Sequence, residues 1–506
     1  MGNNMLNAMK SATNYTLTEN GGITHKTTNS DLLDMFAMGA AMRNRSDEDV
    51  ILMFRKAYAE NAELAMKMLF YIRDVRGGQG ERRFFRVVIK YMANHAEYCE
   101  SIRKNIVNIA EYGRWDDLYA LCDTPLEKDM FEFMKGQLAL DLDCKTPSLL
   151  AKWMKSENAS SRETARLADK TRAYLGMTHK QYRKVLSTLR ARINVLEVLM
   201  SANRWDEIEF DKIPSKAGLI YKNAFARRDM IKAKYEKFAK DENTKVNAGT
   251  LYPYEVVEKA IALMGGYYGY GRKVALDNTD RLMINKYWDN LTDYFNGAKL
   301  NALCMIDTSG SMSGTPINVA TALGMYCAER NHGPWHNHYI SFSSRPQLIE
   351  TAGVDFCDKV QRIVATNLCE NTNIEAAFDM VLNTAIRNRM SDVDMPEYMI
   401  VISDMEFDSA TGNGWRRSGS GMTVANAETV METIERKFNA AGYHMPKMIY
   451  WNVDARQANI PMIGNHYVSY VSGFSPSIFK SILTGKSGWD LMLEAIDSER
   501  YAVIHA

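Results

Sequence analysis

Apolar residues recur at three- and four-residue spacing through the first 300 positions of the chain. This spacing predicts amphipathic helices, separated here by Gly, Asn or Asp breaks. The clearest segments are SDLLDMFAMGAAM (30–42), DEDVILMFRKAYAENAELAMKMLFYI (47–72) and ERRFFRVVIKYMANHAEYCESI (81–102). Two similar stretches, YGRWDDLYAL (112–121) and ANRWDEIEF (202–210), each follow a predicted helix. The pattern predicts an all-α part built of paired-helix units stacked as an α-solenoid, although two copies 90 residues apart do not fix a repeat period.

Beyond residue 300 short apolar runs alternate with helical segments. This alternation predicts a doubly wound α/β domain, with a parallel sheet covered by helices on both faces. We therefore predict an extended segment over 1–30, a helical-repeat domain over 31–296 and the α/β domain over 297–506. The predicted strands are NALCMI (301–306), HYISFS (338–343), EYMIVIS (397–403) and PKMIYWNV (446–453), and the predicted helices are INVATALGMYCAER (317–330), IEAAFDMVLNTAI (374–386) and AETVMETIERKF (427–438).

Charge is divided unevenly between these parts, although the formal net charge of the 506 residues is only +1. Residues 151–240 carry 21 Lys and Arg against 10 Asp and Glu, whereas residues 301–506 carry 15 against 22. A basic segment favours a polyanionic partner such as nucleic acid, and a solvated basic helix face has the same composition.

Composition excludes several classes of protein. No stretch approaches the 18 consecutive apolar residues of a membrane-spanning helix, and the first residues lack the apolar core of a signal peptide. The seven cysteines are scattered without a C-x-x-C pair, which is typical of reduced thiols. We expect a cytoplasmic protein with no membrane partner.

Oxygen-bearing side chains lie where predicted strands end. Asp307, Ser309 and Ser311 follow the first strand of the α/β part, Thr372 precedes a helix, and Asp404 ends another strand. The carboxyl ends of the strands meet at one edge of a doubly wound sheet, so these oxygens would converge. Five oxygen donors, only two of them anionic, suit Mg²⁺ or Mn²⁺ held partly through water. A metal with neutral hydroxyl ligands would favour a carboxylate supplied by a partner.

The order D-x-S-x-S, Thr, Asp on these elements resembles the metal-ion-dependent adhesion site of the von Willebrand factor A domain. The resemblance implies direct metal ligation by Ser309 and Ser311, with Asp307, Thr372 and Asp404 completing the site, the aspartates often through water. It also implies recognition of a protein carboxylate and no catalysis.

Other interpretations of this stretch and its surroundings stay open. The motif would otherwise be a polar turn that caps a helix, or a metal-dependent hydrolase site with Glu406 or Asp408 as the base. The histidines of HGPWHNHYI (332–340) straddle a turn and a strand start, which favours a structural role over metal binding.

One predicted helix has a basic face. In GMTHKQYRKVLSTLRARINVLEVLM (176–200), Thr178 and Gln181 form a capping box that begins the helix. One face of this helix has basic and polar residues and no acidic ones, and such a face can bind phosphates by charge and hydrogen bonds. The face comprises His179, Arg183, Ser187, Arg190 and Asn194, flanked by Lys180, and the predicted buried stripe comprises Val185, Leu189, Ile193, Leu196 and Met200.

The Met-Thr-His-Lys start, Arg183 four residues after the His and Lys170 nine before it look like the TROVE module of the Ro autoantigen family. The resemblance implies all-α, HEAT-like helical repeats arranged as a ring or arch, which binds small non-coding RNAs outside and single-stranded RNA ends within. It implies RNA contacts from Lys170, His179, Lys180, Arg183 and Arg190. Ser187 stands where that family has a second histidine, which departs from its pattern.

The chain is more similar to an uncharacterised family, a domain of unknown function, with the same two-part layout. We predict a non-enzymatic RNA-binding scaffold with a metal site for a protein partner, or alternatively a protein-interaction or assembly factor without RNA. The motifs that carry the similarity are LTENGGITHKTT (17–28), YIRDVRGGQGERR (71–83), YGRWDDL (112–118) and LSTLRARINVLEVLMSANRW (186–205).

Two further stretches have alternative interpretations. RDVRGGQGERRFFR (73–86) lacks the Lys-Ser/Thr ending of a phosphate-binding loop and predicts a tight turn between helices, whose five arginines are candidates for phosphate contacts. GGYYGYGRK (265–273) is either an interdomain linker or a set of tyrosines that stack on unpaired bases.

Overall fold

The computed structural model describes residues 14–193, 195–265, 277–342, 345–366, 372–409, 428–463, 468–482 and 487–506. Asn194 of the predicted basic face and nearly all of the 265–273 tyrosine stretch lie outside these residues. Within these ranges no helix is both long and apolar enough to cross a bilayer.

The described part of the chain before residue 297 is helical apart from one hairpin, as the apolar spacing predicts. The predicted 47–72 segment forms two helices because the backbone becomes extended at Asn61, with φ −156° and ψ 108°. The antiparallel hairpin is β1 Tyr15–Leu17 and β2 Ile23–His25. The helices are α1 Asp31–Met38, α2 Asp47–Glu60, α3 Ala62–Arg73, α4 Arg82–Ala93, α5 Ala96–Tyr112, α6 Glu127–Asp143, α7 Leu150–Trp153, α8 Arg162–Tyr174, α9 His179–Arg192, α10 Leu196–Ser201, α11 Ser215–Ala226, α12 Asp229–Lys240, α13 Pro253–Leu263 and α14 Asn278–Asp289.

The glycine-rich stretch between α3 and α4 is the predicted tight turn. A Cβ on Gly78 would lie 1.9 Å from the carbonyl oxygen of Tyr71, so only glycine fits there. The Gln79 amide donates to that same carbonyl at 3.1 Å, and Glu81 caps the start of α4. The turn therefore joins two packed helices.

The basic helix is shorter than predicted. Thr178 and Gln181 form the predicted capping box, but α9 ends at Arg192 and a separate helix, α10, begins at Leu196. The single buried stripe predicted from Val185 to Met200 is therefore wrong, because the backbone is extended at Val195, with φ −63° and ψ 131°, and the apolar spacing no longer refers to one helix. On α9 the buried side chains are Tyr182, Leu186 and Leu189.

Six strands form a mixed sheet in the C-terminal part. Their order is β5-β4-β3-β6-β7-β8, and all neighbours are parallel except β4 and β5, so the fully parallel prediction is wrong at this edge. The elements are β3 Ala302–Asp307, α15 Thr315–Arg330, β4 His338–Phe342, β5 Gln347–Glu350, α16 Phe356–Thr366, α17 Ile374–Asn388, β6 Tyr398–Ser403, α18 Val430–Ala440, β7 Lys447–Asn452, β8 Val468–Ser472, α19 Phe479–Ile482 and α20 Gly488–Ile496.

The strand order reverses at the centre of the sheet. Strand β3 leads outward to β4 and β5, and the chain then returns to β6 on the other side of β3. In open α/β sheets ligands bind outside the carboxyl ends of the strands at such a reversal. The ends of β3 and β6 are therefore the first place to look for a site.

The chain packs into two compact units, each built from two separate stretches of the sequence. One unit comprises the described residues up to Asn61 together with Leu251–Ser498. The other, which we call the helical unit, comprises Ala62–Thr250 together with Glu499–Ala506. In the first unit, the Ser472 hydroxyl donates to the Phe36 carbonyl at 2.7 Å, which ties α1 to β8. Apolar spacing shows that α1 is a helix, but it does not say which surface the helix covers.

Candidate metal centre

The end of β3 is shaped by its own side chains. The Ser309 amide donates to Asp307 Oδ1 at 2.9 Å and closes the turn after the strand. A short 3₁₀ helix, Gly310–Met312, follows, and α15 begins after Gly314, whose φ is +90°. This local geometry leaves Asp307 and Ser309 buried at the end of a central strand.

Two hydroxyl groups face each other in this turn. The Oγ atoms of Ser309 and Ser311 are 2.9 Å apart, and Ser311 is half-exposed. The pair therefore offers neutral oxygen donors at the rim of the sheet.

A second carboxylate comes from the adjacent strand. Ser403 ends β6, and its hydroxyl donates to Asp307 Oδ2 at 2.6 Å and lies 3.5 Å from Asp404 Oδ1. Both aspartates are buried. Burial raises the pKa of Asp307 above its usual range, and the nearby charge of Asp404 raises it further. A bound cation would offset this repulsion.

Thr372 joins the same edge through the segment that follows β6. Its carbonyl accepts from the Asp408 amide at 3.0 Å, and its hydroxyl oxygen accepts from Asn20 Nδ2 at 3.2 Å. Thr372 is also buried. Contacts thus link the five predicted ligands to the carboxyl ends of β3 and β6.

The turn of the β1–β2 hairpin covers this edge, which the sequence analysis missed. Asn20 Nδ2 donates to the Glu406 carbonyl at 2.5 Å, and the Glu19 amide donates to Glu406 Oε2 at 2.6 Å. Thr18 donates to the carbonyl of Phe407 at 2.6 Å. All three hairpin residues lie in the motif LTENGGITHKTT, so the sequence did mark this segment. Nothing in the motif indicates which surface the segment contacts.

Arg456 is a second component that the sequence analysis missed. Its guanidinium contacts Asp404 Oδ2 at 2.8 Å and the Glu19 carboxylate at 3.1 Å. Because this oxygen of Asp404 is already paired with Arg456, Asp404 is suited to contact a metal through a bridging water molecule. A lone arginine some 50 residues after Asp404 has no local pattern that predicts this contact.

Glu406 is fully buried beside the site. Burial raises its pKa to about 7, although the hydrogen bond from the Glu19 amide acts in the opposite direction. Its Oε1 has no hydrogen-bond partner among the described residues.

The donor set fits a hard divalent cation. It consists of oxygens alone, with a close hydroxyl pair and two buried carboxylates that repel each other. Ser309 and Ser311 would hold the ion directly, with Thr372, Asp307 and Asp404 around it. When bound, such an ion would supply a positive centre for an incoming carboxylate.

The residues predicted to contact RNA have different surroundings. Lys170 pairs with Asp123 and with Glu127, the latter at 2.7 Å. The Arg190 guanidinium donates to the carbonyls of Ala151 and Met154 at 2.8 and 2.9 Å. Both side chains thus contact neighbouring elements of the helical unit.

His179 lies in a group of charged residues at the start of α9. Its Nδ1 is 2.7 Å from Glu157 Oε1, and a ligand atom of Asp169 lies within 4.8 Å of both. Arg172 pairs with Glu157 and with Asp169, at 3.1 and 3.2 Å. Lys180 and Arg183, by contrast, are exposed. Three of the five predicted RNA-binding residues therefore have partners within the protein, and the other two are exposed.

The histidines before β4 make backbone contacts. His336 Nδ1 lies 2.8 Å from the Asn331 carbonyl, and His338 Nδ1 lies 2.8 Å from the His336 carbonyl. These contacts suit a structural role at the turn.

Comparisons place the chain among proteins without an assigned activity. A family model described as "Domain of unknown function (DUF7788)" matches residues 301–501. An uncharacterized protein, L728 of Acanthamoeba polyphaga mimivirus, is 30% identical over 94% of this chain and 85% of its own length. The crystal structure of the Ro (RSR) protein of Deinococcus radiodurans covers 93% of this chain and 100% of its own, with 12% identity and a TM-score of 0.47, a likeness that carries no functional inference. A second model, described as "Domain of unknown function (DUF2828)", matches residues 18–133 and 141–296, and the chain belongs to this family.

Proposed function

We propose that this protein is a non-enzymatic RNA-binding scaffold. Its helical unit would hold non-coding or single-stranded RNA mainly by phosphate contacts from α9. Its metal centre, of the kind found in von Willebrand factor A domains, would hold Mg²⁺ or Mn²⁺ and through it a carboxylate of a protein partner.

The exposed basic face of α9 carries the RNA proposal. Lys180, Arg183 and Lys184 are exposed and have no ion-pair partner among the described residues. The helix itself contains no acidic residue. Cations without internal partners keep their full charge available to phosphates, which supply most of the affinity in non-specific nucleic-acid binding.

The metal centre supports the partner proposal. The Ser309–Ser311 hydroxyl pair leaves a cation electron-poor, and a carboxylate from another protein would complete its coordination. Catalysis is not part of the proposal. Of the two candidate bases, Glu406 is fully buried and accepts the Glu19 amide, and the amide of the half-exposed Asp408 donates to the Thr372 carbonyl. A general base must reach the water or hydroxyl that it deprotonates.

RNA binding is tested by fluorescence anisotropy with labelled single-stranded and hairpin RNAs over a range of salt concentrations. The Arg183→Glu/Lys184→Glu variant removes two exposed cations, and Lys128→Glu/Lys135→Glu, on an exposed part of α6, is the charge-matched control. We expect the first variant alone to lose affinity for a single strand and its salt slope to fall by about 1.4, for two lost phosphate contacts. Equal loss in both variants would contradict a site on α9.

The alternative is a protein-interaction factor that does not bind RNA, and the metal centre is the observation that favours it. Absence of RNA binding at low salt would support it, as would a Mg²⁺-dependent protein partner lost on Ser309→Ala substitution. Retention of that partner by the Ser309→Ala variant would contradict both the alternative and the metal-centre half of the main proposal.

A further inference from the structure

Two of the sequence motifs meet in a half-buried charge cluster inside the helical unit. Arg73, the last residue of α3, and Arg86, within α4, both pair with Asp117, at 2.7 and 2.6 Å. Arg86 also lies 3.0 Å from Asp116, and Arg114 Nε lies 3.1 Å from the same carboxylate.

Lys155 adds a fourth cation to the cluster. Its Nζ is 4.0 Å from Asp116 Oδ2 and 5.0 Å from the centre of the Tyr119 ring. Burial lowers the pKa of Lys155, the charge of Asp116 opposes this, and the neighbouring Arg86 and Arg114 lower the pKa further. Four cations thus share two carboxylates and leave an excess of two positive charges. Unpaired charge in a half-buried place is costly, so the cluster is suited to an anion from outside.

Asp116 alone is shared by two buried N–H groups of the cluster. Arg86 Nη2 and Arg114 Nε lie 3.0 and 3.1 Å from its carboxylate. The side chains themselves remain 31% and 30% exposed, and that of Lys155 remains 22% exposed. A ligand can therefore reach the cluster from solvent.

An aromatic ring lies beside the cluster. The Arg114 guanidinium is 4.3 Å from the centre of the half-buried Trp153 ring, and Lys152 Nζ is 5.8 Å from it. Arg190 holds this segment through the carbonyls of Ala151 and Met154. Nucleobases stack on aromatic rings and on guanidinium planes of this kind.

We propose that Arg86, Arg114 and Lys155 form a site for the phosphate group of a nucleotide, with its base against Trp153. A phosphomonoester carries close to two negative charges and would neutralise the excess of the cluster. Its oxygens would pair with the solvent-exposed parts of the Arg86, Arg114 and Lys155 side chains. The phosphate site stands on its own contacts, and its assignment to an RNA strand rests on the proposed function.

Inorganic phosphate is the first probe, and melting temperature is the readout, at constant ionic strength. The full-length protein is compared with Lys155→Gln, which removes a charge that makes only long contacts, and with Lys128→Gln as an exposed control. We expect phosphate to raise the melting temperature of the wild type and the control but not of Lys155→Gln. An equal rise in Lys155→Gln, or no rise in any protein, would overturn the site.

A second arm identifies the source of the phosphate. Adenosine monophosphate and a single-stranded RNA with or without a terminal phosphate are compared on the same proteins. We expect the phosphorylated strand to bind about tenfold more tightly than the unphosphorylated one in the wild type and no more tightly in Lys155→Gln. Stabilisation by the mononucleotide without strand discrimination would support the site with a free nucleotide as its ligand. A mononucleotide that acts no better than inorganic phosphate would overturn the base contact.

The two proposals fail separately. A phosphate effect that persists in Arg183→Glu/Lys184→Glu while RNA affinity is unaffected by that variant would overturn the α9 face and support the phosphate site. The converse result, RNA binding that depends on α9 with no phosphate effect, would overturn the phosphate site alone.

Discussion

Asp117 is the residue on which two arginine side chains converge inside the helical unit. The Arg73 and Asp117 side chains are 2% and 0% exposed, so removal of the carboxylate charge leaves a buried cation unpaired. We expect Asp117→Asn to lower the free energy of unfolding by about 3–5 kcal/mol, measured by urea denaturation.

The control for this substitution is Asp123→Asn. Asp123 pairs with Arg166 and Lys170, but its side chain is 51% exposed, and solvent screens the interaction. We expect a loss below about 1 kcal/mol. Similar losses in the two variants would show that the burial of the Arg73–Asp117 pair has no energetic consequence.

The hydroxyl pair of the proposed metal centre has its own prediction. The Ser309 and Ser311 Oγ atoms contact each other, so Ser309→Ala/Ser311→Ala removes both proposed direct ligands with little other loss. Mg²⁺ at a hundred times its Kd would stabilise the wild type by about 2.7 kcal/mol, seen as a rise in melting temperature. We expect the variant to melt at the same temperature with Mg²⁺ or with a chelator. An unchanged Mg²⁺ effect would rule out these serines as ligands.

At the scale of elements, the β1–β2 hairpin approaches the backbone that follows β6 closely at Gly22. A Cβ on Gly22 would lie 2.5 Å from the Phe407 carbonyl oxygen and 2.9 Å from that of Asp408. We expect Gly22→Ala to cost about 1–3 kcal/mol and to speed hydrogen exchange of the hairpin amides, because backbone atoms must shift to make room.

Gly136 is the matched control for this substitution. It lies within α6, and a Cβ there would have no atom within 4 Å. Alanine at this position should stabilise the protein by up to about 1 kcal/mol, because it lowers the conformational entropy of the unfolded chain. Destabilisation by both substitutions would mean that the approach at Gly22 is not what holds the hairpin.

At the scale of the molecule, the segment 499–506 belongs to the helical unit and not to the sheet that precedes it in sequence. Tyr501 is 1% exposed, stacks on Tyr112 with ring centres 5.4 Å apart, and donates to Asp74 at 2.9 Å. We expect Tyr501→Ala to cost about 3–5 kcal/mol. Hydrogen exchange should show lost protection in α3 and α5 with β3, β6 and β7 unchanged. Lost protection in the strands instead would contradict this assignment.

Local signals predicted most of the secondary structure. Thr178 with Gln181 marked the start of α9, because a capping box needs only residues three positions apart. Apolar runs likewise marked β3, β4, β6 and β7. The predictions failed where the local pattern was weak. Strand β5 is an edge strand with one buried residue, Ile349, and so has little apolar pattern. The apolar spacing continues across Ile193 and did not reveal the break between two helices.

The sequence by itself determined the succession of helices and strands and the D-x-S-x-S turn, because these depend on hydrogen bonds and side-chain spacing within a few residues. Only the tertiary structure decided what surrounds that turn. Asp404 pairs with Arg456, which lies beyond the next strand, and Arg456 also pairs with Glu19 of the hairpin. The same holds for the cluster in which Arg86 and Lys155 meet Asp116. Such contacts join residues tens to hundreds of positions apart, and they form because packing brings their elements together, which no local periodicity encodes.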